Sequence, residues 1–523
     1  MPGGGLFCLD SYGAQNVLLS GNPDFTWWYK KYKKYSHFAE ESVTQPMDGP
    51  QELFFDQPIQ IRLKIPRLAD LIRDLYFVFT LPDIYCRFID LTLNTTRDCQ
   101  QNFAWVNYIG AYIIQNCAFF IGGQKIQEFD GTYMIAKAQC DYDLDQYSKW
   151  LRLVGNVPEL VDPANGDYAG GALGVGYPIV FPDASGGNFN RPSIFGRDIQ
   201  VPLPLWFTES TFESLPLIGL QYHEAEIQLT LRPIQELYRL LDPSGNIVRP
   251  GFKAFPTNPS QPMIIQYSQT QSLSGEDIRN FLTDWGTPAP LLNTWPLNPR
   301  IQMTYIYLTE EERQQFATQS LSYLVRQVTT YQFPSIFNRQ IVELQTHNPI
   351  NRLIVLGRRS DAIQFRNDVA NFTNWINVKK APFLSSARVY PQAFTDFQMT
   401  GRYVQQGQKD ILRTLRVLGD GNELQEEKPV SYFNSVVPWK YLTGIPESGI
   451  YVYPFGLSSP NTQPDGSVNS SRIRLFQVDL NPWPLPLVQP TSTIAYTYDI
   501  TIYVENLNWV EINSGMGGLK YAL

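Results

Sequence analysis

Hydrophobic and polar residues alternate with a period of two in several short segments of this chain. Between Ile59 and Ile65, isoleucine and leucine alternate with polar and basic residues, and the segment from Ala225 to Leu231 repeats the pattern until Pro233 interrupts it. Alternation places every second side chain on one face of a β-strand, and proline ends a strand because it has no N–H to donate. Both segments are therefore predicted to be half-buried strands.

Two further segments of the first half predict a buried strand and a hairpin. Residues 75–81 are almost entirely apolar, which is typical of a strand covered on both faces. Strand-like runs at 118–121 and 124–129 flank Gly122 and Gly123, and paired glycines supply the positive φ angles of a tight turn. The pattern predicts antiparallel pairing.

Strand patterns return in the second half of the chain. Residues 301–307 alternate with one impure position, and later strands are predicted at 352–356, 411–417 and 496–504. After the first of these strands, Thr309 and Glu312 have the spacing of a capping box, which satisfies backbone N–H groups at a helix start. A short helix is therefore predicted from Thr309 to about Thr318.

Proline, glycine and polar residues divide the chain between these elements. The segment 236–262 is dense in residues that interrupt regular structure, and we interpret it as a linker between two domains. The segments 155–198 and 357–405 are predicted to be long surface loops. The prediction is thus one β domain on each side of a linker.

Composition supports a two-domain, all-β protein. A chain of 523 residues exceeds what one hydrophobic core usually supports. Charged residues make up only 17%, whereas 39 prolines and 36 glycines suit many short strands joined by turns. With 41 basic and 49 acidic residues the formal charge is -8, which argues against direct binding of nucleic acid through its phosphates.

Cysteines and apolar stretches indicate the cellular setting. All five cysteines lie in the first third of the chain and none has CxxC spacing, which favours free thiols in a reducing compartment. The N-terminal residues do not resemble a signal peptide, and no uncharged apolar stretch is long enough to cross a bilayer. We expect neither secretion by the usual route nor a membrane-spanning segment.

Few residues have the pattern of a catalytic or metal site. His37, His223 and His347 lack the spacing for a shared metal, and the usual motifs of nucleotide-binding enzymes and serine hydrolases do not occur. For His223 we expect a structural hydrogen bond. Glu224 and Glu226 share a strand face as a glycosidase pair would, yet solvent-facing carboxylates with this spacing are far commoner. We therefore expect no enzyme activity and no catalytic, metal-binding or cofactor-binding residue.

Two sets of residues are candidates for modification or contact. Acceptor sequons make Asn94, Asn371 and Asn469 candidates for glycosylation. Host enzymes would not normally reach them without a signal peptide, so viral enzymes would have to attach the glycan. A basic and aromatic segment is a candidate contact arm, with Trp27, Trp28, Lys30, Lys31, Lys33 and Lys34 as its proposed contact residues. Its aromatic side chains could pack beneath the β domain or on another protein while the lysines stay hydrated, which is the favoured interpretation, and an anionic membrane or single-stranded nucleic acid is the alternative.

Several segments resemble the major capsid proteins of nucleocytoplasmic large DNA viruses, a double jelly-roll family. Near the start the similar run is YGAQNVLLSGNPDFT at 12–26, although Trp27 and Trp28 stand where phenylalanine is commoner in that family. Other similar runs are PLPLWF at 202–207, LPLIGLQYHE at 215–224, YLTEEERQQF at 307–316, HNPINRLI at 347–354, GIYVYPFGL at 449–457 and SGMGG at 514–518. Together they span nearly the whole chain.

The resemblance implies two consecutive eight-stranded jelly-roll β-sandwiches with a few short helices in loops. The predicted divisions are an N-terminal arm (1–24), a first jelly roll (25–235), the linker (236–262) and a second jelly roll with a C-terminal tail (263–523). The implied function is that of a structural protein whose homotrimers form pseudo-hexameric capsomers in an icosahedral double-stranded DNA virus. Implied partners are copies of itself, minor capsid and penton proteins and the internal viral membrane toward which the arm would face, with assembly in the host cytoplasm.

Two other functions remain open at this point. A lectin-like double sandwich would use the same architecture with aromatic platforms and a calcium site, and it would bind sugar without ordered assembly. A minor capsid or scaffold protein with the same fold would be present in few copies. Neither alternative accounts for a resemblance that runs along the whole chain.

Overall fold

The first half of the chain forms two main β-sheets that share one core. The computed structural model describes residues 3–85, 102–161, 192, 194–241, 247–256, 265–269, 276–283, 288–376, 409–458, 463–485, 487–488, 493–494 and 496–521. The strands of this half are β1 (Phe38–Pro46), β2 (Glu52–Phe54), β3 (Ile59–Lys64), β4 (Leu71–Leu81), β5 (Asn102–Trp105), β6 (Ile114–Ile121), β7 (Gln124–Phe129), β8 (Arg197–Pro202), β9 (Leu215–Pro216), β10 (Ala225–Leu231), β11 (Tyr238–Leu241), β12 (Ile247–Val248), β13 (Phe252–Pro256), β14 (Ile265–Gln269), β15 (Thr294–Pro296) and β16 (Arg300–Leu308). The two main sheets have the strand orders β1-β16-β4-β8 and β3-β10-β6-β7.

The second half repeats this construction. Its strands are β17 (Leu321–Ile336), β18 (Gln340–Leu344), β19 (Pro349–Arg359), β20 (Leu412–Gly419), β21 (Asn422–Pro429), β22 (Ile450–Pro454), β23 (Val468–Asn469), β24 (Phe476–Pro482), β25 (Leu487–Val488), β26 (Thr493–Ile494), β27 (Tyr498–Asn513) and β28 (Met516–Leu519). The main sheets have the orders β17-β27-β19-β22 and β18-β24-β20-β21.

Each half contains the same eight-stranded topology. When the eight strands of the main sheets are counted along the chain, one sheet of each half joins the first, eighth, third and sixth strands. The other sheet joins the second, seventh, fourth and fifth. Two four-stranded sheets with these crossovers make a jelly roll, and the predicted all-β double jelly roll is confirmed.

Strand pairing places the boundary between the halves later than the sequence predicted. β16 is the eighth strand of the first sandwich, because it pairs with β1 on one side and β4 on the other. The predicted linker 236–262 contains β11 and β12, which pair with each other and, through β11, with β5. The first sandwich therefore ends at Leu308, and the division at 236–262 is corrected, because the proline-rich segment belongs to the first half.

Two short helices lie in the arm before β1, and the others occupy connections between later strands. The helices are α1 (Gly4–Asp10), α2 (Val17–Ser20), α3 (Ile109–Tyr112), α4 (Gly131–Asp141), α5 (Leu144–Leu153), α6 (Pro158–Val161), α7 (Trp206–Glu209), α8 (Glu310–Thr318), α9 (Ser360–Arg366) and α10 (Val437–Tyr441). The helix predicted after Thr309 is confirmed as α8, but the Thr309 side chain makes no capping hydrogen bond. Arg313 instead joins this helix to the first sandwich, with its Nε 3.0 Å from Oδ1 of Asp70.

The predicted strands and the hairpin are present. β3 and β10 alternate strictly between more and less buried positions, as expected for strands with one face on the core. β6 and β7 pair through Gly122 and Gly123, whose φ angles are 57° and 81°. The segment predicted as a loop at 357–405 differs, because it begins with the end of β19 and with α9 before the described chain stops at residue 376.

Strand directions place the arm and a long connection at opposite ends of the first sandwich. β1, β16, β4 and β8 are each antiparallel to the next, so β1 and β8 run in opposite directions. The arm enters the sheet at the start of β1, whereas the predicted loop 155–198 leads into the start of β8. Most of that loop, residues 162–191, lies outside the described residues.

Candidate functional site

The side chains of His223, Glu224 and Glu226, which were considered as candidates for catalysis, have structural partners. Nδ1 of His223 lies 2.8 Å from the carbonyl oxygen of Gly517, so the expected structural hydrogen bond is present. Glu224 pairs with Lys64 at 2.7 Å, and both side chains are well exposed. Glu226 accepts a hydrogen bond from Gln228 instead. The two carboxylates are therefore ordinary surface groups of one strand.

Within the described ranges, no group of three or more histidine, cysteine, aspartate or glutamate side chains could hold a metal ion. No helix in the same ranges is long and apolar enough to cross a membrane. Cys8, Cys117 and Cys140 are free thiols, and burial raises the pKa of Cys140 to about 12. Cys86 and Cys99 lie outside the described residues.

A buried ionic cluster joins the two sandwiches. Arg352, on β19 of the second half, is fully buried and reaches Asp141 at the end of α4 in the first half. Its Nη1 and Nη2 donate to Oδ1 and Oδ2 of Asp141 at 2.5 and 2.9 Å. Nη2 also lies 2.7 Å from Oε1 of Glu505 on β27. One guanidinium therefore bridges a helix of the first sandwich and a strand of the second.

Further groups complete the charge balance of this cluster. Lys137 on α4 lies 2.9 Å from Asp141 and 3.0 Å from Glu209. The hydroxyl of Tyr133 donates to Glu505 at 2.7 Å. Burial opposes ionisation of Asp141, but the charges of Arg352 and Lys137 outweigh it and hold the pKa of the carboxyl well below its ordinary value. Burial likewise opposes ionisation of Glu505, and Arg352 again lowers its pKa.

Uncharged hydrogen bonds reinforce the contact between the halves. The side-chain amide of Gln127 donates to the carbonyl of Arg326 at 2.8 Å, and that of Gln327 donates to the carbonyl of Ile126 at 2.7 Å. The hydroxyl of Tyr503 lies 2.9 Å from Asp130. This reciprocal bonding aligns β7 with β17, so the first sandwich is held to the second by strand alignment as well as by charge.

Sequence reasoning missed this cluster, although a signal for it was present. Arg352 lies in the run PINRLIVL and Lys137 in YMIAKAQC, so each charge interrupts an otherwise apolar segment. A charged side chain inside a buried element is rarely tolerated without a partner. The signal does not reveal which carboxylates supply that partner, because they lie far away in the sequence.

The predicted contact arm leaves the body of the protein. Residues 3–37 are all exposed, so the exposed segment extends beyond the predicted limit at residue 24. Trp27 and Trp28 are 86% and 94% exposed, and the adjacent Lys30, Lys31, Lys33 and Lys34 are exposed as well. The aromatic side chains therefore do not pack beneath the jelly roll of their own chain.

The three glycosylation candidates have different surroundings. Asn94 lies outside the described residues. Asn371 is 1% exposed, and its Nδ2 donates to Asp368 and to the carbonyl of Trp375, so the prediction of a glycan there is wrong. Asn469 is exposed in β23, and glycosylation there remains a prediction.

Comparisons with known proteins cover both halves of the chain. A family model described as "Large eukaryotic DNA virus major capsid protein" matches residues 312–518, and one described as "Major capsid protein N-terminus" matches residues 26–254. The major capsid protein of Phaeocystis pouchetii virus is 24% identical, with 99% of each chain covered. That of Paramecium bursaria Chlorella virus 1 is also 24% identical, with the same coverage.

Solved structures share the fold. A structure of the PBCV-1 virus capsid superposes with a TM-score of 0.63 at 20% identity, covering 95% of this chain and 100% of the other. The Faustovirus major capsid protein gives a TM-score of 0.59 at 14% identity, with 97% and 96% covered. At these identities the structural likeness supports the double jelly-roll fold and nothing finer.

Proposed function

The chain belongs to the family of large eukaryotic DNA virus major capsid proteins, and from that premise we propose that it forms homotrimeric, pseudo-hexameric capsomers. Proteins of this family have a structural, non-enzymatic role in the capsid. The proposed capsomers tile the icosahedral shell of a large double-stranded DNA virus.

The repeated topology is the observation that carries this proposal. One chain holds two sandwiches with the same strand order, and three such chains around a threefold axis would present six similar walls. Six similar walls approximate a hexagon, which packs edge to edge without gaps. The buried cluster around Arg352 supports the proposal, because a tile needs a constant angle between its two sandwiches.

The ends of the first sandwich suggest its orientation in a shell. The arm enters at one end and the long 155–198 connection at the other. We propose that the end with the long connection faces outward and the end with the arm faces inward, toward minor capsid proteins and the internal membrane. The 357–405 segment is proposed as a second outward or intersubunit connection, although residues 377–408 lie outside the described ranges.

The proposed partners follow from this orientation. They are further copies of the chain, minor capsid and penton proteins and the internal viral membrane, with assembly in the host cytoplasm. Direct binding of nucleic acid is not proposed, because the formal charge of -8 offers no general attraction for phosphate. Asn469 is the glycosylation candidate that remains among the described residues.

Native mass is the decisive first measurement. Light scattering after size exclusion is expected to give three times the chain mass of 59.9 kDa. Electron microscopy of the same sample is then expected to show hexagonal particles. A stable monomer that binds sugar would contradict the trimer and favour the lectin-like alternative, and low copy number in purified virions would favour a minor capsid protein.

A further inference from the structure

The arm presents two tryptophans at the tip of a turn. Thr26 and Tyr29 form an antiparallel bridge, so Trp27 and Trp28 occupy the two positions between them. The backbone N–H of Trp28 donates to Oγ1 of Thr26 at 3.3 Å, and the ring of Phe25 packs edge-on against Trp27 at 5.1 Å. These contacts define a compact aromatic hook, residues 25–29, that the four lysines follow.

Within the described part of the chain, the two tryptophans of the hook do not pack into the body of their own chain. Among the described residues, the side-chain hydrogen bond that links the arm to the body is the one from Ser36 to Glu312, at 3.2 Å. Exposed aromatic groups of this size are typical of a surface that another molecule covers. The hook is therefore available to bind a second molecule.

Charge favours another copy of the chain as that molecule. Residues 1–37 hold four lysines and two aspartates, a formal net charge of +2. Because the whole chain carries -8, residues 38–523 carry -10. The arm and the body are thus opposite in sign, and such complementarity favours their association between copies.

A cleft on the first sandwich has suitable chemistry. It has a volume of about 440 Å³ and lies between α5 and the strands β4 and β8. Tyr76 and Tyr142 provide partly exposed aromatic surface, and the buried Trp150 forms part of the wall. Asp74 and Glu209 also line the cleft, where they pair with Arg73 and Lys137 of the same chain. With Asp141, Lys137 and Lys149 included, three carboxylates and two ammonium groups line it, a formal net charge of -1. Aromatic faces beside carboxylates suit both indole rings and lysine ammonium groups.

The positions of hook and cleft fit a head-to-tail contact. In the order β1-β16-β4-β8 the arm enters at the β1 edge, whereas the cleft lies at the opposite edge, by β8. Both are at the same end of the sandwich, because the start of β1, the start of β4 and the end of β8 lie together. A threefold ring joins different surfaces of neighbouring copies, and opposite edges at one level meet that requirement.

We propose that the aromatic hook of one chain inserts into the α5 cleft of a second copy. This inference rests on the proposed cyclic assembly and adds to it a specific ligand and receptor. The lysines after the hook then lie against the acidic body of the neighbouring copy.

Cross-linking between separately labelled chains tests the proposal. One chain carries Lys30→Cys, directly after the intact hook, and the other carries Gln146→Cys, at an exposed position of the cleft. Both have a background in which Cys8, Cys86 and Cys99 are replaced by serine. After co-assembly and mild oxidation, a disulfide between the two chains is expected. A matched control uses Leu291→Cys in place of Lys30→Cys, because Leu291 is 93% exposed and lies off the arm. At least tenfold less cross-link is expected for that pair.

Several outcomes would overturn the proposal. A further variant carries both introduced cysteines in one chain. If a disulfide forms within that chain but not between separately labelled chains, the hook binds the body of its own chain. Binding of the arm to phosphatidylserine vesicles, with no cross-link between chains, would assign it to a membrane. Native mass measured on the same samples distinguishes failure of the hook–cleft contact from failure of the trimeric capsomer. A trimer without a cross-link refutes the hook–cleft contact and leaves the capsomer proposal intact. A monomer refutes the capsomer proposal itself.

Discussion

Replacing Arg352 with methionine tests whether the buried cluster holds the two sandwiches together. The guanidinium makes two hydrogen bonds to Asp141 and one ion pair to Glu505, and it is fully shielded from water. In the variant Arg352→Met, Lys137 still neutralises Asp141, but Glu505 loses its ion pair. Removing one partner of a buried pair usually costs about 3–5 kcal/mol, because the remaining charge stays desolvated. We expect a loss of that size in the free energy of unfolding.

Urea denaturation followed by tryptophan fluorescence and circular dichroism measures this loss. Because the cluster joins the halves, we also expect the unfolding transition of Arg352→Met to broaden or split as the sandwiches become less coupled. The double variant Arg352→Met with Glu505→Met should be more stable than the single variant, since it removes the stranded carboxylate as well. Lys64→Met, which breaks an exposed pair with Glu224, is the matched control and should leave the midpoint unchanged.

Acid should weaken the same contact. The pKa values of Asp141 and Glu505 are lowered in the folded protein, so their contribution is present at neutral pH and is lost as the pH falls through the lowered values. Wild-type protein should therefore lose more stability on acidification than Arg352→Met. Equal midpoints for wild type and Arg352→Met at neutral pH, or a double variant weaker than the single one, would refute the reasoning.

Three further predictions concern other parts of the fold. Burial and a nearby carboxylate raise the pKa of Glu213 to about 7. The folded protein therefore loses stability as the pH rises from 4.5 to 7. Measured at a pH above this range, the urea midpoint of Glu213→Gln should be higher than that of the wild type, and at a pH below it the two midpoints should agree. A Cβ at Gly444 would lie 2.2 Å from the carbonyl oxygen of Gln139, so Gly444→Ala should cost about 1–3 kcal/mol in a thermal or urea melt, and an unchanged melt would contradict that contact. A fragment of residues 1–320 should resist proteolysis better than one of residues 1–262, which lacks β14, β15 and β16.

Local patterns predicted the individual strands well. β3, β10 and the β6–β7 hairpin were visible in the sequence because each depends on alternation or on turn glycines within a few residues. The resemblance to a known family added the eight-stranded jelly-roll form of each of the two predicted β domains. Each of these strands can be recognised from its own residues, without knowing which distant strand pairs with it.

Strand partners were harder to predict than strands. The alternation at 301–307 identified β16, but its partners β1 and β4 lie near the other end of the first half. The proline-rich segment before it suggested a linker, so the strand was assigned to the wrong half. The aromatic arm was visible in the composition, whereas the buried cluster depends on carboxylates that no local pattern connects to Arg352.

Closure of each sandwich depends on its first and last strands. β1 pairs with β16 in the first half, and β17 pairs with β27 in the second. The sheet that contains each of these pairs is therefore incomplete until the end of its half has been synthesised. Long-range pairing of this kind is slow, because the loop entropy is lost before the contacts form. The ionic contact follows the same order, since Lys137 and Asp141 precede Arg352 and Glu505 in the chain. The angle between the sandwiches is therefore fixed only when β27 is in place, and a capsomer built from incomplete chains would lack the rigid joint that its walls require.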